Sequence, residues 1–247
     1  MNFGTTGIDL SWQSGDLNSF YPILIATIGF IVYWFMAQSP KIKAKFYESN
    51  DLDNASIKHI LFTKYMGLLW MGIIPLILSL LILPQYGLAD YGLTFIPETT
   101  LTSLAWIIGL GILIVPIASI SAKKPKNLEN YPQIRAKAWG TTLKVKNALG
   151  WTIYLFGYEI LFRGILLFPL VTEFGVWQAI AVNVALYSAT HIPKGLDETI
   201  GAIPLGIVLS LLTLQTGTIW IAFLVHVTMA LTNSFTALKH HPEMKSI

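Results

Sequence analysis

The strongest constraint on this chain is a series of apolar runs long enough to cross a lipid bilayer. A helix needs about 20 mostly apolar residues to span the hydrocarbon core. Seven segments approach that length: residues 20–37, 65–83, 101–120, 148–168, 176–191, 199–214 and 218–235. Charge is correspondingly scarce. Of 247 residues, 54% are hydrophobic and only 12% are charged, whereas an ordinary soluble domain is roughly 25% charged. Sixteen Lys and Arg with thirteen Asp and Glu cannot cover a soluble globule of this size. That excludes disorder, a coiled coil and a soluble enzyme surface. The expected fold is an all-α polytopic membrane bundle of about seven transmembrane helices. The fifth and sixth runs are short, which leaves tilted, broken or partly inserted helices open. Pro75, Pro116 and Pro204 lie inside runs and read as kinks, since neighbouring helices in a bilayer re-satisfy the freed backbone groups.

The cations give the orientation. Of sixteen, fifteen fall in alternate connections, with Lys41, Lys43, Lys45, Lys58 and Lys64 before the second run and seven more in residues 121–147. Lys194 follows the fifth run, and Lys239 and Lys245 lie in the tail. The positive-inside rule then predicts an N-terminus outside and a cytoplasmic C-terminus. The first 19 residues carry Asp9 and Asp16 but no Lys or Arg, unlike the basic start of a secretory signal peptide. Residues 121–147 read as a basic interfacial loop, with Trp139 as an interfacial aromatic; a surface gathering anionic lipid or an acidic substrate is the alternative. The formal charge of +3 reflects this loop bias, not nucleic-acid binding. The expected organisation is a three-helix membrane region over residues 1–147 and a four-helix core over 148–247.

There are no cysteines, so thiol nucleophiles, iron–sulfur clusters and Cys-ligated zinc are excluded. Chemistry must rest on the ionisable groups inside the runs, which are expensive there and pair, line a cavity or react. These are Glu159 and Arg163 in the fourth run, His191 closing the fifth and His226 in the seventh. Glu159 and Arg163 are four residues apart, on one helical face, in the favourable acid-before-base order. On their own they read equally as a pair that pins the helix, and the histidines as packing or interfacial residues. Together, one acid and two histidines on three helices suit activation of a water, directly or through a divalent metal. Asn183, Tyr187, Thr228 and Asn233 are the polar residues nearby in sequence. The histidines could also ligate haem, chlorophyll or another metal centre, although no cofactor motif accompanies them. Against a retinal site, the seventh run has no lysine for a Schiff base.

The segment Glu159-Ile160-Leu161-Phe162-Arg163-Gly164 resembles the first motif of the CAAX-protease and bacteriocin-processing (Abi) family of intramembrane proteases, Glu-Glu-x-x-x-Arg. Tyr187-Ser188-Ala189-Thr190-His191 is similar to its second motif, Phe-x-x-x-His. Residues 217–220 followed by His226 resemble its third, His-x-x-x-Asn. Order and spacing agree from about residue 150 to 235. The resemblance implies a helical membrane core in the plasma or inner membrane that cleaves a peptide bond near the cytoplasmic face. The substrate would be a prenylated or membrane-bound peptide. By that resemblance His191 orients or deprotonates water, His226 faces the oxyanion, and Glu159 with Arg163 forms the supporting pair. A metal-dependent version has also been proposed for the family.

Two positions depart from the pattern. Tyr158 stands where the leading Glu is expected, and Ala230 where the Asn is expected, four residues after His226. Asn233 shares a face with His226 but lies two turns along. A second reading therefore stands beside the protease: a catalytically impaired member that acts as a membrane scaffold, an immunity protein or a subunit of a membrane protein complex.

Overall fold

The computed structural model describes residues 10–13 and 15–247; Asp9 of the acidic N-terminal segment lies outside them. Helix α1 (Asp16–Ala37) is followed by the short α2 (Pro40–Glu48). Helix α3 (Leu52–Gly67) runs through a π-helical segment, Leu68–Ile73, into α4 (Ile74–Ile82). Then come α5 (Pro97–Ala122) and the single turn α6 (Pro125–Leu128). Helix α7 (Thr141–Glu159) continues through a second π-helical segment, Ile160–Leu167, into α8 (Phe168–Phe174). Helix α9 (Val176–Ala189), a 3₁₀ turn at Ile192–Lys194, α10 (Leu196–Thr216) and α11 (Trp220–His240) complete the bundle. A two-residue strand, β1 (Ala138–Trp139), pairs in parallel with β2 (Lys245–Ser246).

Among the described residues, six helical stretches are long and apolar enough to cross a membrane: Asp16–Glu48, Leu52–Ile82, Pro97–Ala122, Thr141–Phe174, Leu196–Thr216 and Trp220–His240. The sixth apolar run, short by sequence, is a full 21-residue helix. The fifth is the exception. Helix α9 has 14 residues, about 21 Å at ~1.5 Å per residue, less than a hydrocarbon core of about 30 Å. It ends at Ala189, so Thr190 and His191 sit in the turn beyond it and not inside a span. Pro75, Pro116 and Pro204 all lie within helices, Pro75 in the first turn after the first π-helical segment.

The connections gather at two ends. At one, Ile219 N–H donates to Gly92 O (3.2 Å) and Trp220 Nε1 to Thr94 O (2.7 Å). At the other, Arg135 N–H donates to Ser56 Oγ (2.7 Å) and Lys137 N–H to Asp53 Oδ2 (3.1 Å). This second end carries the basic connections, and there the structure corrects two expectations. Trp139 is fully buried, not interfacial: it packs with Ile134, Leu143, Leu238 and Met244, and its Nε1–H donates to Ala136 O (2.9 Å). Lys64 belongs to α3 and is 4% exposed within the bundle, because the helix starts well before the run that hydropathy marks.

The two helices with π-helical segments cross at glycine. A Cβ on Gly157 would lie 2.8 Å from Leu68 Cα, and one on Gly72 would lie 2.9 Å from Gly157 Cα. Both distances are closer than real Cβ atoms approach, so small residues let the backbones touch, as at many membrane helix interfaces. This crossing brings α7 against α3 just before Glu159. The core around it takes residues from α1, both π-helical segments, α7 and α9, including Met71, Tyr158, Leu161, Phe162 and Tyr187.

Candidate functional site

Glu159 is the last residue of α7, and Arg163 lies in the π-helical segment after it. Both are completely buried. Arg163 Nε stands 3.7 Å from Glu159 Oε2: an ion pair, but too long for a hydrogen bond. The wider π turn is accompanied by a second set of partners for the guanidinium. Nη1 donates to Asn183 Oδ1 (3.0 Å), and the cation lies 4.6 Å from the centre of the Tyr187 ring. Asn183 is fixed in turn, since its Nδ2 donates to Phe162 O (2.5 Å) and Ser210 Oγ donates to its Oδ1 (3.4 Å).

The other carboxylate oxygen, Glu159 Oε1, is hydrogen-bonded to His226 Nδ1. A carboxylate only accepts, so Nδ1–H donates. The Tyr187 hydroxyl meets His226 Nε2 at 2.8 Å; in the neutral ring that nitrogen accepts. His226 is 3% exposed. Glu159, Arg163, Asn183, Tyr187 and His226 thus form one buried polar network across α7, α9, α11 and the second π-helical segment.

His191 joins this network only at its edge, through Tyr187. Its Nδ1 lies 3.0 Å from Tyr187 O, an acceptor, so Nδ1 carries the proton in that contact and Nε2 is the basic nitrogen. No hydrogen bond occupies Nε2 among the described residues. Burial, and then the Lys194 ammonium, push the pKa of His191 from 6.5 down to about 3. Beside it the Tyr158 hydroxyl contacts Thr190 Oγ1 at 2.8 Å. The Thr190 hydroxyl donates to Tyr187 O (2.7 Å), so the phenol is the donor to threonine. Tyr158 therefore occupies the position on α7 that adjoins His191, while Glu159 is turned towards Arg163 and His226.

The remaining polar residues divide between this region and elsewhere. Asn183 and Tyr187 are integral to the network. Asn233 accepts from Asn127 Nδ2 (2.9 Å) towards the basic end, and among the described residues no hydrogen bond links Thr228 to the site. Ala230 is half-buried and packs with apolar neighbours of Trp151 and Phe223. Ser210 is a participant that sequence reasoning missed; no motif marks it. An apolar groove of about 120 Å³, lined by Ala26, Phe30, Phe162, Leu186 and Thr190 among others, opens between α1 and α9 beside Thr190.

A resident divalent metal does not fit these side chains. The network has one carboxylate, already beside a guanidinium that would repel a cation. Among the described residues no three His, Cys, Asp or Glu side chains gather as ligands. The arrangement can hold a buried polar core, and it leaves one imidazole nitrogen free at its edge.

In comparison with known proteins, residues 146–232 match the family model of the type II CAAX prenyl endopeptidase Rce1-like proteins. The matched segment spans α7 to most of α11 and contains all the network residues. No curated protein and no solved structure matches the chain.

Proposed function

We propose, from the premise that segment 146–232 belongs to the Rce1-like CAAX endopeptidase family, that this integral membrane protein binds a prenylated peptide tail at the family site and is catalytically impaired in hydrolysing it. One observation carries the reading: Glu159, the one carboxylate of the site among the described residues, is fully buried, with one oxygen bonded to His226 and the other facing Arg163. A general base works best with a pKa near the operating pH and within hydrogen-bond reach of the water it activates. Glu159 meets neither His191 nor solvent. His191 alone, with its pKa pushed to about 3, is a weak base at neutral pH. A carboxylate at position 158 would sit beside His191 and raise its proton affinity; the tyrosine there donates a hydrogen bond to Thr190 instead. The oxyanion side is short as well, since position 230 offers a methyl group and no donor.

One observation favours a second reading, an active endopeptidase using Glu159, His191 and His226: the Nε2 of His191 remains free. The two are separated by incubating purified protein in lipid with an S-farnesylated CAAX peptide. On the impaired reading the wild type releases tripeptide no faster than His191→Ala, and Tyr158→Glu with Ala230→Asn gains release. Wild-type release that is lost in both Glu159→Gln and His191→Ala establishes the protease instead.

A further inference from the structure

Lys64 is an ammonium carried deep into the bundle by α3. It lies 12 residues beyond Leu52, about 18 Å along the axis, and is 4% exposed. Gly150 of α7 lets its stem lie flat, since a Cβ there would touch Lys64 Cγ at 3.4 Å. The charge rests against aromatic faces, 3.0 Å from the centre of Trp151 and 4.6 Å from that of Tyr154. Ring faces attract a cation, but they do not accept its three N–H bonds in full. Among the described residues no carboxylate pairs with Lys64. The charge whose field reaches it is that of another cation, Lys194, and the same field reaches Tyr131 and His191. The single acid at this place is Glu198, 3.6 Å from Lys194. Lys64 thus rests against aromatic rings within the field of a second lysine, Lys194, whose carboxylate partner is Glu198, and ionisable groups at membrane depth rarely stand without a partner or a task.

An aromatic strip joins this place to the site. Trp151 and Tyr154 lie 5.9 Å apart, Tyr154 and Tyr158 lie 6.2 Å apart, and Tyr158 bonds Thr190 next to His191. From position 151 to 158 the helix advances about 10 Å, the length of about three extended residues. A lipid phosphate is held at the headgroup level by its own acyl chains. The free end of a peptide is not so held.

We propose that Lys64 and Lys194, walled by Trp151, Tyr154 and Tyr131, receive the terminal carboxylate of a peptide tail laid along α7, with its third residue from the end beside His191. This rests on the reading above that the chain binds a prenylated tail. A carboxylate could also come from a fatty acid, so the experiment has two arms. Binding to the full-length protein in nanodiscs is measured for an S-farnesylated CAAX peptide as free acid and as C-terminal amide, and separately for oleate. The acid should bind about tenfold to a hundredfold tighter than the amide, as expected when a hydrogen bond to a charged group is lost. Lys64→Met and Lys194→Met should each remove most of that preference; Lys194 is exposed enough for its replacement to fold. Equal binding of acid and amide, or an unchanged preference in both variants, overturns the carboxylate site while leaving tail binding intact. Oleate binding that depends on Lys64, with no peptide binding, keeps the carboxylate site and refutes the peptide as its occupant together with the proposed function. No binding in either arm overturns both.

Discussion

Replacing Arg163 with Met keeps an unbranched, shorter side chain and removes its charge from a fully buried place. Glu159 then keeps His226 as its sole polar partner, and Asn183 Oδ1 loses the donor Nη1. Two unit charges 3.7 Å apart interact by about 4.5 kcal/mol at an effective dielectric of about 20. Measured losses on breaking a buried pair run to about 3–5 kcal/mol, so the two figures agree. In a chain of this length about 1 kcal/mol moves the midpoint by roughly 2–4 °C, so Arg163→Met should lower the apparent unfolding midpoint in detergent by on the order of 10 °C. Tryptophan fluorescence during heating reads this. The double variant Glu159→Gln with Arg163→Met is the control: with both charges gone, Gln still accepts from His226, and the midpoint should recover by about half or more. A midpoint for Arg163→Met within about 2 °C of the wild type would refute the network account. So would a double variant no better than the single one, since coupling between contacting residues is what the cycle isolates.

Other outcomes follow from single contacts. Gly157→Ala forces a Cβ to 2.8 Å from Leu68 Cα and should lower stability by about 1–3 kcal/mol, seen as a lower midpoint, whereas Gly111→Ala, with open space around it, should not. Below pH 6.5 an unfolded chain protonates His191 while the folded chain resists until about pH 3, so stability should fall as pH drops through that window and stay level above it; His191→Gln should flatten that part of the midpoint-against-pH curve. Tyr158→Phe removes the bond to Thr190 while Thr190 keeps Tyr187 O, at a cost of about 0.5–1.5 kcal/mol, measurable by the same melts. EDTA should leave the midpoint unchanged, and a drop reversed by a divalent cation would show ligands that the described side chains do not form.

The helical bundle is legible in the sequence because hydropathy reads burial in lipid directly. The Glu159–Arg163 pair is legible because four-residue spacing fixes a shared face. The contacts that decide the chemistry are not. His226 meets Glu159 across 67 positions, and Tyr158 meets Thr190 across 32, distances over which no periodicity operates. The rarity of ionisable groups in the apolar runs brought Glu159 and His226 together; nothing in the sequence brought Tyr158 to Thr190. Lys64 was misplaced for a physical reason: a lysine beside a tyrosine at the edge of an apolar run has the composition of a membrane flank, and the rings that hold it are on α7. Trp139 was misplaced likewise. Its burial depends on the C-terminal tail returning to the loop, where Ile247 N–H donates to Trp139 O (3.1 Å).

The most direct test of the central claim, that Glu159 is held by His226 and Arg163 and is not available to activate water, is the rate at which the wild-type protein in proteoliposomes releases the terminal tripeptide of an S-farnesylated CAAX peptide. The expected rate equals that of His191→Ala within error. A wild-type rate at least tenfold above His191→Ala, abolished also by Glu159→Gln, would contradict it.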